Sequence, residues 1–306
     1  MAERTDLSKL DEDPPSGSLA RDEKDQGPRD QRTLIVIYCL NTSTIRPTPL
    51  LEKIRLAGEA GYSAIEPWND EITAYLGQGG TLAELRSALG DAGLRVVSVI
   101  ALHGWITGEG EDHARAVGEC RRRMEQAAEL GSPYIVASPP REAVDLRRAS
   151  DRFAELLEIG RSIGVMPSME FLGFVTGVKT VDAAWAIASG TGDPHATIVA
   201  DVFHMIRGGG SVDDLLKIQG DRLANFHIND VPADPDPLTQ MDEHRVMVGE
   251  GIADLPRVIA NLRTIGYNGP ISLELFNRGL WEQNPAMVIR RGLDRIRALV
   301  ESEPTR

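Results

Sequence analysis

Five short stretches place acids and imidazoles where they could do chemistry. They are "AIEPW" with Glu66, "SMEFLG" with Glu170, "VADVFH" with Asp201 and His204, "NFHIND" with His227, and "ISLELFN" with Glu274. In "NFHIN", Asn225, His227 and Asn229 alternate with Phe226 and Ile228. Ser168 and Glu170 alternate with Met169 and Phe171, and Ser272 and Glu274 with Ile271, Leu273 and Leu275. A two-residue period is that of a β-strand, and it puts the polar members on one face. Taken singly, each residue has a plainer explanation. A strand-end Asp caps a helix, a lone His fills a core, and a Glu pairs with an Arg. Together they set three carboxylates and an imidazole at the ends of four successive strands. Carboxylates that close force one another to hold protons, and burying them unpaired is costly. A divalent cation removes both conflicts. Glu170, Asp201, His227 and Glu274 are therefore the expected ligands of one ion. Their mixed oxygen and nitrogen donors suit Mn²⁺ foremost, with Co²⁺, Zn²⁺ and Mg²⁺ as alternatives.

Such side chains converge only if the strands run parallel and end together. Short β-like runs occur at 34–39, 63–67, 95–101, 133–138, 165–171, 196–201, 223–229 and 270–275. Amphipathic helical stretches such as "LLEKIRLAGEAG", "TLAELRSALGDAG" and "LPRVIANLRTIG" lie between them, and several stop at a glycine (Gly61, Gly93, Gly131, Gly266). Eight strands alternating with helices predict an α/β fold, a (β/α)₈ TIM barrel, whose chemistry sits at the C-terminal ends of the strands. A doubly wound sheet is the alternative, but "YCLNTSTIRP" has none of the glycines of a phosphate-binding turn. Strand three runs into His103. Trp68, Trp105 and Trp281 follow strands two, three and eight, where aromatic faces can wall a pocket against sugar C–H groups or simply pack in loops.

The remaining composition narrows the classes. Residues 1–32 hold no aromatic residue, 15 charged residues and three prolines, so they read as a disordered or partner-docked tail ahead of a single catalytic domain over 33–306. The net charge of −13 disfavours nucleic acid. The basic run "CRRRM" (120–124) reads as a solvated helix face. No apolar run has the length of a membrane span, and no secretory h-region opens the chain. Cys39 and Cys120 form neither a metal motif nor a disulfide framework, which points to the cytoplasm. "RGGGS" (207–211) reads as a flexible loop more readily than as a phosphate cradle, which favours an unphosphorylated substrate.

From about residue 33 to 300, "AIEPW", "SMEFLG", "VADVFHM", "FHINDV", "HRVMVGEGIADL" and "ISLELFN" resemble, in order and spacing, the xylose isomerase-like TIM barrel superfamily of sugar isomerases and epimerases. Within it the series is most similar to the inosose (2-keto-myo-inositol) isomerases of inositol catabolism. The resemblance implies one divalent ion on Glu170, Asp201, His227 and Glu274. It implies that the two glutamates flank the substrate as acid and base, and that His204 touches substrate oxygens. It also implies that Glu66, His103 and Arg245 line the pocket. Two departures matter. Ketohexose 3-epimerases of the superfamily carry an Arg six residues after the metal His, where this chain has Ala233. Endonuclease IV binds further metals through Asp-x-His before "GEG", where this chain has Glu243-His244-Arg245.

The chemistry expected is proton transfer through a metal-stabilised enediolate of a keto-polyol or keto-sugar, with an inosose favoured. Glu274 is the first choice as base and Glu170 as its partner. A lyase or dehydratase on a keto-sugar or keto-glycoside would use the same centre. A non-catalytic sugar-binding barrel would need neither glutamate. Small molecules are the expected partners, with no membrane and no nucleic acid, and a homo-oligomer is open.

Overall fold

The computed structural model describes residues 34–302, so the reading of residues 1–32 as a tail lies outside the described residues. Nine strands form the sheet: β1 Ile37–Asn41, β2 Ala64–Glu66, β3 Arg95–Val96, β4 Val99–Leu102, β5 Tyr134–Ala137, β6 Met166–Glu170, β7 Thr197–Asp201, β8 Leu223–Ile228 and β9 Pro270–Leu273. Every pairing is parallel, in the order β3-β2-β1-β9-β8-β7-β6-β5-β4. The first and last strands are thus neighbours. A bridge between Trp68 and Ile100 spans the one remaining gap, giving the nearly closed (β/α)₈ barrel that the alternation predicts.

Two boundaries differ from the sequence reading. The run 95–101 is not one strand but two, broken at Val97 and Ser98. Its first half pairs with β2 and its second with β5, so the third barrel position serves each neighbour with a different segment. Strand one begins at Ile37, where pairing with Pro270 of β9 starts, and extends to Asn41. That shift carries Asn41 to the strand's C-terminal end.

The alternation sorts side chains as expected. Leu40, Ile65, Met169, Phe226, Ile271 and Leu273 point outward into the large core shared with the helices. Burial of such side chains stabilises the barrel by about 1.5–3 kcal/mol each. Inside, Ser168 and Thr197 hydroxyls meet at 2.7 Å, and small apolar groups such as Ile100, Val136 and Val199 fill the remaining space. The helices start and stop by local rules. Thr81 and Glu84 form a capping box for Leu82–Asp91, and Gly61 and Gly266 end their helices at φ of 91° and 72°, a conformation that costs glycine nothing. In the basic run, Arg121 is exposed, but Arg123 donates to the Ala101 carbonyl at 2.8 Å and ties the helix Gly110–Glu129 to the end of β4. Cys39 and Cys120 are buried and unpaired with each other. Among the described residues no helix is long and apolar enough to cross a membrane.

Candidate active site

The strand ends deliver the polar residues to one place. Glu170 closes β6, Asp201 closes β7 and caps the following helix through His204 N–H (3.0 Å), and His227 lies on the inner face of β8. Glu274 follows β9 directly, its N–H still bonded to Ile228 of β8. All four side chains are buried. Around His227 Nδ1 stand Glu274 Oε2 at 3.1 Å, Asp201 Oδ2 at 3.8 Å and Glu170 Oε1 at 3.9 Å.

Glu66 lies behind His227. Its carboxylate accepts from Asn225 Nδ2 (2.7 Å), Asn41 Nδ2 (2.9 Å) and Ser272 Oγ (2.9 Å), and it lies 2.9 Å from His227 Nε2. It is wholly buried and does not border the cavity above. The expectation that Glu66 lines the substrate pocket is therefore corrected, because Asn41, Asn225, Ser272 and His227 Nε2 hold its carboxylate behind the imidazole. Burial alone would raise its pKa, but His227 and the surrounding donors hold it below the ordinary value. With Nε2 engaged by Glu66, Nδ1 is left facing the carboxylates. It is buried and makes no hydrogen bond.

That orphaned nitrogen is the test for a metal. Glu274 Oε2 is 3.1 Å away, but the contact does not have hydrogen-bond geometry, and a buried imidazole nitrogen without a well-directed bond is expensive. Here it converges with carboxylate oxygens, and ligand atoms of Asp201, His227 and Glu274 all lie within 4.8 Å of one another. Hard oxygen donors and one imidazole fit a divalent ion, with Glu170 as a fourth donor at hand. The electrostatics carry the same strain. Burial, reinforced by the charges of Glu274 and Asp201, pushes Glu170 up to about 8 against the pull of His227. Burial also raises Glu274, though His227 and Arg245 oppose it. Burial disfavours a charged His227, yet Glu274 and Glu66 lift its pKa well above the usual value.

Above this cluster opens a cavity of about 410 Å³. Glu170, Glu274, His204, His103, Trp68 and Arg245 border it, with Phe174 and Phe276 among its apolar walls. Trp68 is fixed by Nε1 donating to Asn41 Oδ1 (3.0 Å) and by an edge-on contact with Phe276. Trp105 is not part of the wall. The chain turns at Gly104 (φ 75°) and sends the indole into the hydrophobic core, 5.7 Å from the ring of Phe153. Trp281 is likewise absent from the lining and donates to the Ser43 carbonyl at 2.9 Å. His204 accepts the Gly173 N–H at Nδ1 (3.2 Å) and lies against Phe174, while burial lowers its pKa to about 4.

Several residues of the site were not singled out from the sequence. Asn41 is a hub, donating to both Glu66 and Glu274 (3.0 Å). The polar residue ending "YCLN" is a signal for it, hidden by placing the strand too early. Ser138 donates to Glu170 Oε2 at 2.9 Å, and Asn229, already assigned to the polar face of its strand, donates to Asp201 Oδ2 at 3.1 Å. Asp242 holds Arg245 through two bonds of 2.7 and 3.1 Å.

The chain belongs to the xylose isomerase-like TIM barrel family, whose sequence model matches residues 54–299. It is 26% identical to an inosose isomerase of Bacillus velezensis over 271 residues, 86% of this chain and 96% of that one. A 3-dehydroshikimate dehydratase of Pseudomonas aeruginosa is 23% identical over 75% of this chain but only 36% of its own length. Among solved structures, the IolI protein with a bound zinc atom superposes with a TM-score of 0.81 at 24% identity, covering 87% of this chain and 98% of that chain.

Proposed function

We propose that this member of the xylose isomerase-like TIM barrel family is a divalent-metal-dependent isomerase or epimerase of a keto-polyol or keto-sugar, with an inosose-type substrate first. The observation that carries the reading is that Glu170 and Glu274 both border one cavity beside buried His227 Nδ1, whose nearest neighbours are carboxylate oxygens, Glu274 Oε2 first at 3.1 Å. Binding alone needs no such pair of carboxylates. Similarity to the Bacillus velezensis inosose isomerase over nearly the whole of that protein supports the substrate class.

Glu170, Asp201, His227 and Glu274 would hold the ion, Mn²⁺ foremost with Co²⁺, Zn²⁺ or Mg²⁺ as alternatives. When bound it supplies Lewis-acid stabilisation of the negative charge that develops on a carbonyl oxygen as the neighbouring C–H is deprotonated. The protein's own groups move the proton. Glu274 receives hydrogen bonds from Asn41 (3.0 Å) and Arg245 (2.9 Å), which favour its anionic form, so it is the base that takes the C–H proton. Glu170, held by Ser138 at Oε2, is the second glutamate bordering the cavity and is the group that returns the proton. Return to the adjacent carbon, with the carbonyl moving over, is isomerisation. Return to the opposite face of the same carbon is epimerisation. His204, at the cavity wall, orients substrate oxygens. Trp68 offers an apolar face to sugar C–H groups, and His103 closes the rim.

A dehydratase is the second reading, favoured by the Pseudomonas aeruginosa relative. The first step is the same, but a β-leaving group departs instead of the proton returning. Incubating the metal-supplemented protein with keto-inositols, ketoses and 3-keto-glycosides in D₂O, read by NMR and mass spectrometry, tests both. Deuterium in recovered material with product mass otherwise unchanged is expected. A product lighter by the leaving group would move the assignment to the lyase. No exchange with any substrate of these classes would sink both.

A further inference from the structure

Arg245 borders the cavity, yet its guanidinium is almost wholly used within the protein. Its Nη1 donates to Asp201 Oδ2 (2.6 Å) and to Glu274 Oε2 (2.9 Å). Nη2 and Nε donate to Asp242 Oδ1 (2.7 and 3.1 Å), and Nη2 lies 3.1 Å from His204 Nε2. Carboxylates therefore accept from four of the five N–H groups that an arginine carries. The side chain is 1% exposed, and its guanidinium sits over the rings of Phe203 (4.8 Å) and Phe276 (5.2 Å). Little donor capacity is left for a substrate oxygen.

The two oxygens that Nη1 holds are the ones nearest His227 Nδ1 from their respective residues, Asp201 Oδ2 and Glu274 Oε2. These are the atoms on which a divalent ion would also draw. We propose that Arg245 is a built-in counter-cation of the ligand cluster. It shares Asp201 and Glu274 with the ion, keeps those two buried carboxylates paired before the ion arrives, and limits how tightly the ion is then held. This inference rests on the metal site of the proposed function.

The sign follows from two effects that act together. Removing the guanidinium leaves Asp201 and Glu274 short of a cation in a buried place, which raises the free energy of the metal-free protein. It also removes a positive charge that repels the incoming ion at short range. Both changes enlarge the free-energy gain on metal binding. Arg245→Lys keeps the charge but cannot bridge two carboxylates in the same way, so it restores the repulsion and only part of the pairing.

The test is metal binding, not turnover. The dissociation constant for Mn²⁺ and for Zn²⁺ is measured by competition with a chromophoric chelator on the full chain. Thermal midpoints are recorded with and without the ion. For Arg245→Met the expected results are a lower midpoint without metal, a larger metal-induced rise than in the unmodified protein, and about tenfold tighter binding. Arg245→Lys is expected to bind within a few-fold of the unmodified protein. Should Arg245→Met fold only with the ion present, the Lys variant decides: binding as tight as that of the metal-refolded Met variant overturns the proposal. Equal or weaker binding by Arg245→Met also overturns it and makes Arg245 a residue that positions the ligands. If the unmodified protein binds neither ion, this inference and the metal site beneath it fall together. If it binds and Arg245→Met is unchanged, only this inference falls.

Discussion

Glu66 Oε2 lies 2.9 Å from His227 Nε2 in the interior of the barrel, both side chains with no exposed surface. One carboxylate at the end of β2 thereby fixes which nitrogen of a residue on β8 faces the cavity. The remaining nitrogen faces the carboxylates of Glu274, Asp201 and Glu170 in a defined orientation, as the outer partner of a metal-bound imidazole would arrange it.

Removing that hold tests it. Glu66→Gln is expected to leave the fold intact and weaken divalent-ion binding by about 10- to 100-fold. Isothermal titration calorimetry with unmodified and variant protein measures this, and an unchanged affinity would detach Glu66 from the site.

Glu274→Gln addresses the chemistry. It removes the proposed base and one ligand while keeping size and the bond from Asn41. Turnover is expected to fall by at least about 10²- to 10⁴-fold, the usual worth of a positioned acid–base group, with weaker metal binding and an unaltered circular dichroism spectrum. Near-normal solvent-deuterium exchange by this variant would take Glu274 out of the mechanism.

Metal removal should be visible in stability. The buried like charges of Glu170, Asp201 and Glu274 penalise the metal-free fold, so dialysis against a chelator is expected to lower the thermal midpoint. Restoring the ion at about 100 times its dissociation constant should return about 2.7 kcal/mol. A midpoint indifferent to chelator and to added Mn²⁺, Co²⁺, Zn²⁺ and Mg²⁺ contradicts the site.

Trp105 and Trp68 separate core from cavity. Trp105→Ala is expected to cost about 3–5 kcal/mol of stability by emptying the space against Phe153, seen as a shifted urea midpoint. Trp68→Ala changes the cavity wall and should raise KM with a smaller loss of stability. If Trp105→Ala raised KM without loss of stability, the assignment of the two would have to be exchanged.

Much of this was legible in the chain itself. Alternation in "NFHIN", "SMEF" and "SLEL" assigned His227, Glu170 and Glu274 to one face, because the strand period is fixed by backbone geometry whatever the fold. The glycine stops marked the helix ends for equally local reasons. Local rules misplaced the start of strand one and missed the break at Val97 and Ser98, since those depend on which neighbour a strand pairs with.

The sequence by itself determined the kind of fold and the presence of acids and imidazoles at the strand ends. Only the tertiary structure decided depth and partnership. It put Glu66 behind His227 instead of above it, turned Trp105 into the core, and brought Arg245 from a loop onto Asp201 and Glu274. The physical reason is that periodicity states which side of a strand a residue faces, a one-dimensional property. Which layer of the barrel it occupies, and which charge comes within 3 Å of it, is set by strand register and loop closure across residues far apart in the chain.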